Sequence, residues 1–412
     1  MKQINVLWLI LVIAIFTNCD NKISHNNIIE VDFEAEFPMM ELRLSDLAEV
    51  SYIPLQGEDS NRIVTHSYNL SKAIYIDSNY IIVGDHFPNH PVKKKMPGII
   101  TVFDYNGQFL RNIGFINIFK GRVVNLSFCM DIEPVSNNIF VCQIGYPRTV
   151  PFFKYDIQGN LLYKDTINKK HTDIALFGDS LHMYNSSSRY VSYFTGKIVQ
   201  KGRTLNVMDL NTGEFIDCDD IEYSKPHDMD IATIVANYKA KNGVYLTNDR
   251  SDTVYFVDRN LNVTPKFVAT RHYDKDMNLV CPIMETDEYI LFCNKMNMGA
   301  RDNNRFEFAN YIYVKKQNKI YKITPGCPIA DNNAVPFEDY LLKDYLRVHP
   351  YFNTLNSNIM VCPLSIEYLK SHYETLPEEL KSIAGKAHSD DNPVLMIMRF
   401  GKQLPKVSSL VQ

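Results

Sequence analysis

The amino-acid sequence predicts an all-β protein, a six-bladed β-propeller with a short helical insertion in its last blade. The main observation is a recurring hairpin: a β-rich run ends at an Asp, a turn with Gly or Asn follows, and a second β-rich run begins. These Asp residues are spaced by about 50 positions, at Asp104, Asp156, Asp209 and Asp258. A second hairpin precedes each copy, and two hairpins make the four-stranded unit that is typical of a propeller blade.

Five repeat units and the parts of a sixth follow one another along the chain. The five units lie at 73–114, 126–167, 172–217, 231–269 and 277–323, and residues 190–203 lengthen the third. The sixth takes strands from 359–362 and 393–400, and residues 50–55 close it. Strands from both ends of the chain would then close the ring, which removes exposed sheet edges.

A helical insertion is predicted at about residues 365–386. Apolar residues recur there at steps of three and four, and Pro377 begins a second turn or helix. The whole chain then divides into a signal peptide, a flexible tether, the propeller domain and a tail, at 1–18, 19–40, 41–402 and 403–412.

The N-terminus has the pattern of a lipoprotein signal. Lys2 precedes an apolar run from Val6 to Phe16, which is shorter than the roughly 20 residues of a membrane span. Thr17 and Asn18 lead to Cys19, which we predict to be the lipidated first residue of the mature protein. Simple secretion and an uncleaved anchor are the alternatives. A lipid anchor would make the membrane a partner and place the protein in the cell envelope.

Composition limits the other possibilities. The net charge of −4 gives no sign of a nucleic-acid partner. After Cys19, seven cysteines remain and no CxxC occurs, so we expect most of them to be small buried hydrophobic residues. Two pairs, Cys129 with Cys142 and Cys281 with Cys293, have similar spacings and could lie on neighbouring strands. A disulfide in either pair is a minor alternative.

Catalytic motifs are absent from the sequence, which contains no HExxH, GxSxG, P-loop or GxGxxG pattern. We therefore predict no catalytic residue, metal or cofactor. Clusters of His, Asp and Arg between strands are the candidate ligand-binding residues, because loops on a rigid ring commonly carry binding sites. They are His86, His90, His227, Asp228, Arg271, His272, Arg301 and Arg305. A solvated loop is the alternative for each, and the His86–His90 loop could also hold a metal.

Three short segments are similar to the Asp-Ser/Thr-apolar sequence for O-glycosylation of exported Bacteroidetes proteins. Their hydroxyl residues are Thr166, Ser180 and Thr253. The same sequences also begin strands after turns, which is the structural alternative.

The chain resembles the six-bladed β-propeller lipoproteins of Bacteroidetes. The matching segments are 50–55, 100–114 and 392–397, and the segment from Asp104 to Gly114 is also similar to an NHL repeat. From the predicted propeller and the N-terminal signal we expect a lipid-anchored, non-enzymatic binding or scaffold module at the outer membrane, facing the periplasm or the surface. Its partner would be a glycan, a peptide or an envelope protein. The alternative is a metal-assisted hydrolase or sugar-modifying enzyme on the same fold.

Overall fold

The structure is a computed structural model. It describes residues 28–56, 74–85, 99–114, 118–119, 122–123, 128–133, 135–143, 150–167, 173–177, 180–184, 189–191, 198–201, 205–216, 234–248, 252–269, 277–297, 306–324, 341–346, 353–389 and 391–405. Within these ranges the chain forms a propeller of antiparallel sheets with few helices. No helix in this part of the chain is long and apolar enough to cross a membrane.

The chain begins with short elements, followed by the first two blades. The N-terminal strap, as we call residues 28–54, contains β1 (Ile29–Val31), β2 (Met39–Glu41), α1 (Leu44–Leu47) and β3 (Ala48–Pro54). Blade 1 contains β4 (Ile74–Ile76), β5 (Tyr80–Asp85), β6 (Ile99–Asp104) and β7 (Phe109–Gly114). A small hairpin follows, with β8 (Ile118–Phe119) and β9 (Arg122–Val123). Blade 2 contains β10 (Phe128–Glu133), β11 (Asn138–Gln143), β12 (Val150–Tyr155) and β13 (Leu161–Ile167).

Blades 3 to 5 repeat the same four-stranded order. Blade 3 contains β14 (Asp173–Phe177), β15 (Ser180–Tyr184), β18 (Leu205–Asp209) and β19 (Phe215–Ile216). The insertion predicted in this blade forms its own hairpin of β16 (Arg189–Val191) and β17 (Ile198–Lys201). Blade 4 contains β20 (Ile234–Ala240), β21 (Gly243–Asn248), β22 (Thr253–Asp258) and β23 (Val263–Ala269). Blade 5 contains β24 (Met277–Glu285), β25 (Tyr289–Asn297), β26 (Phe306–Val314) and β27 (Lys319–Thr324).

In the part of the chain that the structure describes, five blades are complete, so the prediction of six is corrected. The last group is a three-stranded sheet, the closing sheet, of β28 (Ile359–Leu364), β29 (Val394–Phe400) and β3. Among the described residues that precede β28, Asn353 forms an isolated bridge to Met360 of this sheet. The next residues pair with blade 1 instead: Leu355 N–H donates to Ile74 O at 2.8 Å, and the Asn356 amide exchanges two hydrogen bonds with the Ile76 backbone.

The recurring Asp residues form the turns between the third and outer strands, as predicted. In each turn the Asp Oδ1 accepts backbone N–H groups that lie two and then three or four residues further on. These side-chain bonds hold the backbone in a tight turn. Three of the turns have a Gly with positive φ, and in blade 4 Leu261 takes this conformation with φ 69°. The hairpin repeat read from the sequence is therefore confirmed by its hydrogen bonds.

The N-terminal strap runs along the outer edges of neighbouring sheets. β1 pairs in parallel with β23 of blade 4, β2 pairs in parallel with β27 of blade 5, and β3 pairs with β29 in the closing sheet. Val31 and Met40 are fully buried in these contacts. The described part of the predicted tether, residues 28–40, thus contains β1 and most of β2. These residues form strands because they pair with the outer strands of blades 4 and 5 and bury apolar side chains there.

The hydrophobic core lies between the blades. One cluster joins blades 1 and 2 around Ile82 and Val141, and a second joins the closing sheet and blade 1 around Val361 and Ile81. A third joins blades 3 and 4, and the largest joins the strap, blades 4 and 5, the closing sheet and the helices. The residues between β28 and β29 form α2 (Ile366–Ser371), a 3-10 turn at Tyr373–Thr375 and α3 (Glu378–Lys386). The predicted helical insertion therefore lies within 365–386.

The two predicted cysteine pairs are cross-strand neighbours. Cys129 lies opposite Cys142 in blade 2, and Cys281 lies opposite Cys293 in blade 5. Cys142, Cys281 and Cys293 have reduced thiols and are buried, as is Cys362. This agrees with the interpretation of these residues as small buried hydrophobic side chains.

Candidate functional site

The predicted binding residues all fall between strand ends on one face of the propeller. In each antiparallel blade, the second strand leads to the third on this face, and the outer strand leaves from it toward the next blade. We call this the loop face, and the opposite side the turn face. The eight residues themselves lie outside the described residues: His86 and His90, His227 and Asp228, Arg271 and His272, and Arg301 and Arg305.

The strands that flank these residues are described. β5 ends at Asp85 and β6 begins at Ile99, on either side of the two histidines. β25 and β26 flank the two arginines at 301 and 305 in the same way. The segments at 217–233 and 270–276 lie between the outer strand of one blade and the inner strand of the next. All four segments therefore start and end at strand ends on the loop face.

An ion pair crosses the ring near the turn face. Lys239 Nζ, on the inner strand of blade 4, lies 2.5 Å from Asp131 Oδ2, on the inner strand of blade 2. Blade 3 lies between these two blades, so the contact spans the central channel. The Asp131 side chain is 1% exposed and that of Lys239 is 21% exposed. A charge buried this deeply needs such a partner, because an unpaired carboxylate is strongly disfavoured away from water.

A second polar network links blade 4, blade 5 and the closing sheet at the same end. Tyr238 OH donates to Ser357 O at 2.6 Å and accepts the Glu285 N–H at 2.8 Å. The Glu285 carboxylate accepts Tyr245 OH at 3.0 Å and Lys315 Nζ at 2.7 Å. These bonds fix the turn-face ends of three neighbouring sheets relative to one another.

The tyrosines of this region remain neutral at ordinary pH. Burial, with smaller contributions from Asp77 and Asp131, raises the pKa of Tyr75 to about 12. Burial also raises the pKa of Tyr238 and of Tyr245 well above the usual range. At Tyr245 the Glu285 carboxylate adds to this effect, whereas at Tyr238 the hydrogen bond from the Glu285 backbone N–H opposes it. Neutral hydroxyls act as hydrogen-bond donors and acceptors rather than as nucleophiles. The turn-face end of the channel is thus suited to structural hydrogen bonding.

The turn-face ion pair was not among the residues predicted from sequence. Its signal was available, because Asp131 and Lys239 are charged residues inside β-rich runs with buried apolar neighbours. A charged side chain at such a position requires a partner, yet the sequence does not identify one that is more than a hundred positions away.

The three O-glycosylation candidates lie on strands. Thr253 begins β22 opposite Val268, and its hydroxyl donates to Asp252 Oδ1 at 2.8 Å. Thr166 lies on the outer strand of blade 2, and Ser180 begins β15 opposite Phe177. The predicted lipidation site, Cys19, lies outside the described residues. Among the described residues, no group of three or more His, Cys, Asp or Glu side chains could hold a metal ion.

The geometry defines the protein as a β-propeller, and comparison with known proteins supports this class. No family model matches the chain, and no curated protein matches it. Among solved structures, it is similar to a protein of Bacteroides fragilis NCTC 9343 that carries the name of an exported protein. The TM-score is 0.59 at 17% identity, covering 91% of this chain and all of the other. A member of the DUF4221 family from Bacteroides vulgatus covers 87% of this chain at 10% identity, with a TM-score of 0.46. The first likeness shows a shared fold.

Proposed function

We propose that the protein is a lipid-anchored propeller of the cell envelope that acts as a non-enzymatic ligand-binding or scaffold module. Its ligand is a glycan, a peptide or a partner protein that contacts the loop face. The proposal rests on one observation: the candidate binding segments and the ion pair that joins the blades lie at opposite faces of the ring. All four segments with candidate binding residues begin and end on the loop face, whereas Lys239 and Asp131 tie the blades together near the turn face. A rigid ring that presents loops on one side is a common arrangement for recognition.

The location in the envelope follows from the N-terminus. The apolar run from Val6 to Phe16 and the following Cys19 support export and lipidation. The structural likeness to a protein named as exported agrees with this location. In this proposal the membrane is a partner through the lipid alone, and the protein lies at the outer membrane, facing the periplasm or the cell surface.

An enzymatic function is the second candidate. Its support is a carboxylate at the end of a strand, Asp85, directly before the segment with His86 and His90. Two imidazoles and a carboxylate are a ligand set that suits a divalent metal. Such a site would favour metal-assisted hydrolysis or sugar chemistry.

Thermal unfolding of the full chain in detergent micelles tests both functions. The protein is heated with members of a glycan panel, and separately with EDTA or with EDTA followed by Ca²⁺. A ligand at 100 times its dissociation constant stabilises the fold by about 2.7 kcal/mol. A shift with one glycan class, unaffected by EDTA, supports the binding module. Destabilisation by EDTA that Ca²⁺ reverses supports the enzyme instead.

Variants locate the glycan site. Replacing Arg301 and Arg305 by alanine removes two guanidinium groups from a loop-face segment, and the glycan shift should fall. Lys316→Ala is the matched control, since this exposed lysine belongs to a turn-face hairpin. If the arginine variant and the control both keep the full shift, this segment is not part of the site. If no member of the panel changes the unfolding temperature, the glycan form of the proposal is rejected.

A further inference from the structure

The outer edges of the blades are covered on one side of the ring only, among the described residues. β1 covers β23 of blade 4, β2 covers β27 of blade 5, and β3 is the outer strand of the closing sheet. No described strand pairs with the outer side of β13 in blade 2. An uncovered outer strand presents a row of backbone donors and acceptors to an incoming strand.

The side chains at the start of β13 are exposed. Leu161 and Leu162 are each 52% exposed, and Tyr163 is 44% exposed. At the position aligned with Tyr163, Tyr321 of β27 is 4% exposed and Pro265 of β23 is partly buried. β13 therefore concentrates apolar surface on an open edge of the rim, away from both faces of the ring.

The two covered edges have the same charge pattern, in which a glutamate of the added strand lies near a lysine of the outer strand. In blade 4, Glu30 of β1 lies opposite Val268, two residues after Lys266. In blade 5, Glu41 of β2 lies opposite Thr324, two residues after Lys322. Both edges thus place a glutamate of the added strand diagonally next to a lysine of the outer strand, a distance over which opposite charges attract.

Blade 2 has the same lysine in the same position. Lys164 follows the turn residue Asp156 by the same spacing with which Lys266 follows Asp258, and Thr166 lies two residues beyond it. Asp165, which accepts Tyr163 OH at 2.7 Å, stands where blade 4 has Phe267 and blade 5 has Ile323. A strand added to β13 would therefore have an acidic residue opposite Thr166 and a basic residue opposite Asp165.

We propose that the outer edge of β13 binds an extended segment of a partner protein as an added parallel strand. The recognised segment has a basic residue, an acidic residue and an apolar residue in succession, opposite Asp165, Thr166 and Ile167. Backbone hydrogen bonds hold it, and the side chains select it, as in other cases of strand addition. This surface lies on the rim, so its occupancy is independent of ligand binding at the loop face.

A peptide built from β1 tests the proposal. The probe is a fluorescent peptide of residues 27–33 carrying I29K, which places lysine opposite Asp165 and keeps Glu30 and Val31 for the next two positions. It is titrated into the full chain in detergent, with fluorescence anisotropy as the readout. We expect saturable binding, together with slower hydrogen exchange of the backbone amides at 161–167. The unsubstituted peptide should bind less tightly, because isoleucine then faces Asp165.

A charge swap between Lys164 and the probe tests whether the probe binds at β13 rather than at another sheet edge. Lys164→Glu should weaken binding roughly two- to fivefold, and a probe that also carries E30K should recover it. Lys316→Glu, with the same charge change at an exposed site elsewhere, should leave binding unchanged. The proposal is overturned if the probe does not bind, if both variants bind alike, or if protection appears at 263–269, which would indicate exchange with β1.

Discussion

Replacing Lys239 by methionine tests whether the channel-crossing ion pair holds the ring together. Asp131 would keep its charge at 1% exposure and lose the ammonium group that now lies beside it. Removing one member of a buried pair costs about 3–5 kcal/mol. The Lys239 side chain is 21% exposed and Asp131 Oδ1 also accepts the Ile132 N–H at 2.8 Å, so we expect a smaller loss of about 2–3 kcal/mol. Asp131→Asn should cost about 1 kcal/mol, since the lysine that remains reaches water.

Urea denaturation measures these differences. Far-ultraviolet circular dichroism is the suitable signal, because the single tryptophan, Trp8, precedes the described residues and does not report on the blades. The double variant D131N/K239M has neither charge, and it should be more stable than the sum of the single losses predicts, by about 1–2 kcal/mol. A coupling below about 0.5 kcal/mol would show that the two charges do not depend on each other, and the proposed link between blades 2 and 4 would then be wrong.

Three further predictions concern the turns, the strap and the tyrosines. Gly107→Ala should destabilise the fold by about 2–3 kcal/mol, because φ is +83° and a Cβ would collide with Pro54 O. Gly213→Ala is the control: φ is +73° but the space around it is open, so the loss should be only about 1 kcal/mol. Met40→Ala, at a fully buried site in the strap, should cost about 3 kcal/mol in the same urea assay. The folded pKa of Tyr75, about 12, lies above the unfolded value near 10. The unfolded state therefore loses this proton first, and the contribution to stability is complete below pH 10 and is lost as the pH rises toward 12.

Each of these predictions has a contrary result. Equal losses for the two glycine variants would mean that the contact with Pro54 yields without cost. A stable Met40→Ala variant would mean that β2 adds little to blade 5. The phenolate absorbance of Tyr75 is the difference between the unsubstituted protein and Tyr75→Phe, both folded. If this difference appears near pH 10 instead of near pH 12, Tyr75 titrates as an exposed tyrosine and the prediction is wrong.

Local patterns predicted much of the fold, because they depend on contacts between near neighbours. The Asp turns need only the side chain of Asp104 or its equivalents and the backbone that follows it. The helices were also visible: Ser365 Oγ accepts the Tyr368 N–H at 3.1 Å at the start of α2, and α3 follows Pro377. The β-rich sequence predicts a closing strand at 50–55, and the pairing of β3 with β29 confirms it at 48–54.

Features that depend on distant partners were not predicted. β1 and β2 have three residues each, too few for a periodic pattern, and they become strands because blades 4 and 5 offer them an edge. The described closing sheet has three strands, and the residues before it are held by a distant partner, since the Asn356 amide pairs with Ile76 of blade 1. The candidate binding residues could be assigned to one face only after the strand order was known.

The strap also determines how a lipid anchor would hold the propeller. Ile28 precedes β1 at the outer edge of blade 4 and lies nine positions after Cys19 in the sequence. A fully extended segment of this length reaches about 30 Å, so a lipid on Cys19 would keep the rim at blade 4 close to the membrane. The anchor then attaches at the rim rather than at the loop face. Blade 2 lies away from the point of attachment, because blade 3 separates it from blade 4 on one side of the ring, and its open edge at β13 would remain available to a partner.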